Sequence, residues 1–203
     1  MNNIKVFMFD MGGVIMRYPN NDFVKNIQRP NENMKKLMED LDLGIESIES
    51  IGKILEPTNP LKKLCNASLR DRDITKFHGG LIEDENVIKC LRILKDNGYK
   101  IALLTNNFYY DNTKTDSVIM KDLSYFDYVV ESCRIGKRKP TKEFYEHALN
   151  LVQSPPDECV FVDDLKENCD GAEVVGIKSI HLKDGDSITT IKEIELITGL
   201  SIL

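Results

Sequence analysis

The chain has 203 residues, 41% of them hydrophobic, and a net charge of -6, which allows a packed core and argues against a protein that coats nucleic acid or an anionic membrane. No apolar stretch reaches the roughly 20 residues that span a bilayer, and the first residues run into a strand without a leader pattern. The five cysteines are odd in number, widely spaced and form no Cys-x-x-Cys pair, which speaks against a disulfide framework or a cysteine zinc site and predicts reduced thiols in a cytoplasmic protein.

In chain order, the apolar run at residues 4–9 predicts a buried strand that ends at Asp10 and breaks into the turn Met11-Gly12-Gly13-Val14. Residues 16–80 carry helical periodicity without strand-like alternation, including 34–40 and 45–55, and read as several short helices. A helix at 85–97 stops at Gly98, and a second buried strand follows at 101–104. The pattern continues with a helix at 114–123, a strand at 128–130, a helix at 141–151 and a strand at 159–162. A last unit has a helix ending near Gly176, a strand at 178–180 and a helix at 187–197. This alternation predicts an α/β fold, a doubly wound parallel sheet with helices on both faces. The early helical block does not fit the alternation. It is expected as a cap inserted at residues 16–80 into a core of residues 1–15 and 81–203.

Three of the predicted strands end in polar groups, and ligands of such folds collect beyond the carboxyl ends of the strands. Asp10 ends the first, Thr105 and Asn106 the second, and Asp163 and Asp164 the strand at 159–162. Neighbouring strands lie about 4.8 Å apart, so adjacency of the first and last of these would bring Asp10, Asp163 and Asp164 within reach of one cation. Magnesium suits such a set of hard oxygen ligands. The plainer reading is that Asp163 and Asp164 only start a turn and cap the next helix. Thr105 and Asn106 offer donors for phosphoryl oxygens, or simply begin a turn into Asn107. Lys139 ends the basic run Arg134-Ile135-Gly136-Lys137-Arg138-Lys139, which reads either as a solvated face or as the source of one lysine turned toward Asp10. Pro140 favours an extended conformation at Lys139 and singles out that lysine.

Taken together, these segments resemble the signature motifs of the haloacid dehalogenase-like hydrolase superfamily. The first, a strand followed by Asp-x-Asp, is matched by Asp10-Met11-Gly12 except at Gly12. The others are matched in order by Thr105, by Lys139-Pro140 and by Asp163-Asp164. The stretches Ser132-Cys133-Arg134-Ile135-Gly136-Lys137-Arg138-Lys139-Pro140 and Phe161-Val162-Asp163-Asp164, the latter continuing through Asn168, Gly171-Ala172 and Gly176, are similar to the branch holding the phosphatase domain of soluble epoxide hydrolases and small sugar phosphatases. The resemblance implies a Rossmann-like core and phosphoryl transfer from a small phosphorylated metabolite through an aspartyl-phosphate on Asp10. It further implies Mg²⁺ held by Asp10, the backbone carbonyl of Gly12 and Asp164, with Asp163 in support, and charge stabilisation by Thr105, Asn106 and Lys139. Gly12 removes the acid that protonates the leaving oxygen in the family pattern. Water, the substrate or a residue such as His78 could stand in. A binding protein that keeps metal and phosphate without turnover is the alternative, and a dehalogenase the third. Epoxide hydrolysis is not expected, since the sequence has no second domain and no Gly-x-Ser-x-Gly elbow.

Overall fold

The computed structural model describes residues 3–18, 32–76 and 80–203. At its centre lies strand β1 (Val6–Phe9), whose four residues are all buried. Phe7 and Phe9 face one side of the sheet and Val6 and Met8 the other, each pair joining a separate apolar cluster. A strand buried on both faces reads as an unbroken apolar run, as this one does. β4 (Lys100–Thr105) and β6 (Cys159–Asp163) flank it, with β5 (Tyr128–Glu131) and β7 (Lys178–His181) outermost. The order is β5-β4-β1-β6-β7, and every pair is parallel. The chain leaves β1 for one side of the sheet and later returns to the other, so the topological switch point lies between β1 and β6.

Helices α4 (Glu85–Asp96) and α8 (Ser187–Thr198) cover the first face through Leu91, Leu94, Ile191 and Ile194. On the second face Phe144, Tyr145 and Ala148 of α6 (Lys142–Val152) pack with Ala172 of α7 (Lys166–Val174). A four-residue helix, α5 (Ser132–Ile135), follows β5 and stops at Gly136, whose φ of 63° places it in the left-handed region.

Residues 16–80 hold α1 (Glu32–Asp42), α2 (Ile48–Ile54) and α3 (Pro60–Asp71), close to the expected series of short helices. The segment is not purely helical, because β2 (Met16–Arg17) pairs antiparallel with β3 (Ile82–Glu83) and joins its two ends. α2 opens on a capping box in which the Ser47 and Ser50 side chains satisfy each other's backbone N–H groups. Two hydrogen bonds tie α2 to the loop after β4: Ile48 and Glu49 donate N–H to the carbonyls of Tyr109 and Tyr110, each at 3.0 Å. Arg138 reaches α1, with Nε 2.9 Å from Asp42 Oδ2. Between the helices lies a cavity of about 60 Å³ lined by apolar side chains, among them Leu37, Leu41, Ile51, Leu61 and Phe108.

The helix expected at 114–123 does not form. Residues 106–127 run as an irregular excursion in which Asp111 accepts from the Thr113 N–H at 3.0 Å and Lys114 takes a φ of 54°. An aspartate turn followed by a left-handed residue ends any helical course. The apolar positions that imitated a helix face bury instead as single side chains, Val118 and Met120 among them. No helix among the described residues is long and apolar enough to cross a membrane.

Asp84 joins the helical segment to the core. Its side chain accepts from the N–H groups of Asn86 at 2.9 Å and Val87 at 3.1 Å, its own N–H donates to Ile15 at 2.9 Å, and Arg17 lies 3.2 Å from its second oxygen. Replacing Asp84 by alanine is expected to lower stability in urea unfolding by about 1–2 kcal/mol, with a smaller loss for asparagine, which caps as well. Equal losses for the two variants would place the effect in the Arg17 contact rather than the cap.

Candidate active site

The registers bring the strand ends level. Phe9 lies opposite both Leu103 and Val162, so Asp10, Asp163, Asp164 and Thr105 all emerge at the carboxyl edge beside the switch point. Lys139 enters from the loop between α5 and α6. Its Nζ lies 2.7 Å from Asp10 Oδ1, 2.7 Å from Asp163 Oδ2 and 3.0 Å from the Leu104 carbonyl. The ammonium thus has one acceptor for each of its three N–H groups, and the side chain is 1% exposed. Burial by itself disfavours the charged lysine, but the Asp10 and Asp163 carboxylates outweigh it and raise its pKa above the ordinary value.

Asp163 is fully occupied. Its Oδ1 accepts from the Leu165 N–H at 2.8 Å, Oδ2 from Lys139, and the Asn168 amide reaches both oxygens at 3.0 and 3.1 Å. Asp163 therefore holds Lys139 and the turn into α7. Asp164 lies against the glycine turn instead. A Cβ on Gly13, whose φ is 84°, would fall 2.2 Å from Asp164 Oδ2, so both the backbone conformation and the approach of the carboxylate require glycine there. One carboxylate oxygen from each of Asp10, Asp163 and Asp164 lies within 4.8 Å of the others.

Three carboxylates against one lysine leave two negative charges in a partly dry pocket. The effect on the acids is direct: burial first, then the neighbouring carboxylates, push Asp10 up to about 7 and Asp164 up to about 8, with Lys139 acting in the opposite direction on both. Hard oxygen donors with two surplus charges are the donor set a magnesium ion takes, so the residues fit that ion.

Thr105 is buried, and among the described residues its hydroxyl has only a long contact, 3.5 Å, with the Asn106 carbonyl. The Asn106 side chain is committed elsewhere. Its Oδ1 accepts from the Lys139 N–H at 2.9 Å and its Nδ2 donates to the Lys139 carbonyl at 3.0 Å. The amide that sequence alone would aim at a phosphoryl oxygen clamps the lysine backbone in place. Behind it, Asn107 Nδ2 donates to Glu131 Oε2 at 2.6 Å, and the Asn107 N–H donates to the Ser132 hydroxyl at 3.0 Å. His78 lies outside the described residues. At Gly12, a Cβ would meet the hydroxyl of Tyr18 at 2.8 Å. Neither Tyr18 nor the roles of Gly13 and Asn106 was visible in the sequence, because each depends on a contact between separate turns.

A family model described as haloacid dehalogenase-like hydrolase matches residues 4–176. The chain belongs to the haloacid dehalogenase-like hydrolase family. Among its relatives, the bifunctional epoxide hydrolase 2 of Rattus norvegicus is 30% identical over 145 residues, 68% of this chain but 26% of that protein. The chain thus spans about a quarter of the length of that relative. The sesquiterpene phosphatase astK of Aspergillus oryzae is 30% identical over 96% of this chain and 97% of its own length. A phosphorylated carbohydrates phosphatase of Thermotoga maritima is 25% identical over 98% and 97%. In fold, the chain resembles a HAD family enzyme of Bacteroides thetaiotaomicron solved with magnesium and inorganic phosphate, with a TM-score of 0.66, 19% identity, and 93% of this chain and 98% of that one covered.

The raised acids make the protein's stability depend on pH. In the metal-free protein the folded state keeps protons on Asp10 and Asp164 that the unfolded chain releases near 3.8, the ordinary aspartate value. The folded state then binds more protons than the unfolded one, so these groups stabilise most at low pH and their contribution is lost as pH rises from about 4 to about 8. Thermal melting in chelator is expected to fall across that window, Asp164→Asn to flatten the fall, and added Mg²⁺ to raise the melting temperature most at the alkaline end. A slope unchanged by Asp164→Asn would contradict the assignment.

Proposed function

We propose that this hydrolase is a magnesium-dependent phosphatase acting on a small phosphorylated metabolite through a covalent aspartyl-phosphate on Asp10. The observation that carries the reading is the buried Lys139 ammonium, 2.7 Å from both Asp10 and Asp163, beside Asp164 at the sheet's switch point. Because Lys139 holds Oδ1 of Asp10, the other carboxylate oxygen is the one left to meet phosphorus. In the first step the Asp10 oxygen–phosphorus bond forms as the ester phosphorus–oxygen bond breaks, and the electron pair leaves on the ester oxygen, which takes a proton. In the second, water attacks phosphorus, releases inorganic phosphate and restores Asp10.

Lys139 and Thr105 would face the oxygens of the transferring group, and Asn106 would keep Lys139 in position. Magnesium, when bound, would be held by Asp10, the main-chain carbonyl of Gly12 and Asp164, with Asp163 in support, and supplies the positive charge that admits a phosphate dianion to this acidic pocket. The helical segment at 16–80 would act as the cap that encloses and selects the substrate. Gly12 leaves the reaction without its usual acid and base, a loss on the order of 10² to 10⁴ in rate that falls hardest on poor leaving groups.

The decisive assay is hydrolysis of para-nitrophenyl phosphate with Mg²⁺ or chelator by wild type, Asp10→Asn and Lys139→Met. Turnover is expected only for wild type with Mg²⁺. Turnover that survives Asp10→Asn would sink the mechanism, and no turnover at all would favour a protein that binds metal and phosphate without hydrolysis. The names of the relatives span terpene and carbohydrate phosphates. The cavity lined by Leu37, Leu41, Ile51, Leu61 and Phe108 offers hydrocarbon contacts and no charged group. If this cavity receives the substrate's tail, an aliphatic monophosphate shows a lower KM than a sugar phosphate of similar size, and the reverse order would assign the cavity to packing alone.

A further inference from the structure

Residues 11–16 fold back on themselves. The Met11 carbonyl accepts from the N–H groups of Ile15 at 3.0 Å and Met16 at 2.8 Å, and the Gly13 N–H donates to Met16 at 2.8 Å. The turn carries β2 back past the start of the loop, and Tyr18, the residue after β2, ends with its hydroxyl 2.8 Å from where a Cβ on Gly12 would stand. That separation is shorter than any comfortable carbon–oxygen contact. The phenol tip therefore occupies the volume a side chain at position 12 would use. Its ring is half-buried and packs against the core face that contains Phe9, while its hydroxyl has no hydrogen-bond partner among the described residues.

We propose that the Tyr18 hydroxyl takes the place of the absent position-12 acid and donates a neutral hydrogen bond to the substrate's leaving oxygen. The assignment rests on the phosphatase reading of the same site. A phenol titrates at about 10 and so carries its proton at neutral pH, which makes the Tyr18 hydroxyl at this position a neutral donor toward an oxygen that gathers charge. As the ester bond breaks, the electron pair collects on the leaving oxygen. The Tyr18 O–H stabilises it there, and water supplies the proton that completes the alcohol. Tyrosine supplies no carboxylate for the second step, so water attacks the aspartyl-phosphate without a base from position 12.

The test compares wild type, Tyr18→Phe, Gly12→Asp and the double variant on n-butyl phosphate, a poor leaving group, and para-nitrophenyl phosphate, a good one, with Mg²⁺ present. Phenylalanine keeps the ring and removes only the hydroxyl. Tyr18→Phe is expected to lower kcat on butyl phosphate on the order of 10²-fold, as for loss of one preorganised donor, and on the aryl ester by far less. Gly12→Asp is expected to raise butyl phosphate turnover more in the Tyr18→Phe background than in wild type, because the two side chains compete for one volume. Equal slowing on both esters would reduce Tyr18 to packing, and an unchanged or undetectable butyl phosphate rate would overturn the assignment. So would an equal gain from Gly12→Asp in both backgrounds. Asp10→Asn runs alongside. If it leaves turnover intact, the phosphatase reading itself falls and takes the Tyr18 assignment with it, whereas a dead Asp10→Asn with an indifferent Tyr18→Phe removes the tyrosine alone.

Discussion

The Lys139 ammonium between Asp10 and Asp163 is the contact on which the site's geometry depends. Withdrawing an ion from water costs several kcal/mol and is recovered only with full pairing and good geometry. Lys139 meets that condition with three acceptors drawn from the ends of three strands: Leu104 of β4, Asp10 just past β1 and Asp163 of β6. One side chain thus fixes the relative positions of the central strand and both its neighbours. The backbone of Lys139 is fixed in turn by Asn106, so its loop is held from both ends. The contact also divides labour between the acids. Asp163 gives all its capacity to Lys139, Leu165 and Asn168, while Asp10 keeps an oxygen that Lys139 does not hold.

The same contact creates a charge deficit. One lysine cannot neutralise Asp10, Asp163 and Asp164 together, and burial, joined by the neighbouring carboxylates, raises the pKa of Asp10 and Asp164. A pocket in that condition takes a proton or a cation. The acidity of the whole chain, -6 at neutral pH, would repel a phosphate ester from the bare site, so in the proposed reaction cation binding and substrate binding would be coupled by the same electrostatics. Gly13 makes the arrangement feasible by letting the Asp164 carboxylate approach the backbone where any Cβ would block it.

Much of this was legible in the sequence because its causes are local. A strand buried on both faces is an unbroken apolar run, and an acid at its end is necessarily at the sheet's carboxyl edge, which located Asp10, Asp163 and Asp164. Pro140 beside Lys139 marked the one member of a basic run that turns inward, while Arg138 next to it went to Asp42. The failures have non-local causes. At 114–123 the apolar residues mimic a helical face, but their backbone partners lie elsewhere: the Val118 N–H donates to Phe108, and Tyr110 to Asp116. Asn106 was recognisable as a site residue, but not as the clamp on Lys139, because its partner lies 33 positions away.

Gly12 and Gly13 sit side by side and answer to different constraints. Gly13 needs its left-handed φ and leaves room for Asp164, so its glycine is set by the backbone and the neighbouring carboxylate together. Gly12 has no such φ, and its Cβ would meet nothing nearer than the tip of Tyr18. The absence of an acid at position 12 and the presence of a phenol in its place are therefore one structural fact. A chain that had merely lost a catalytic side chain would leave a gap open to water at that point. Here the turn through Met11 and Met16 delivers another polar group into the gap, a hydroxyl with no hydrogen-bond partner among the described residues. Restoring an aspartate at position 12 is for that reason a substitution of two residues in effect, since the carboxylate can enter only where the tyrosine yields.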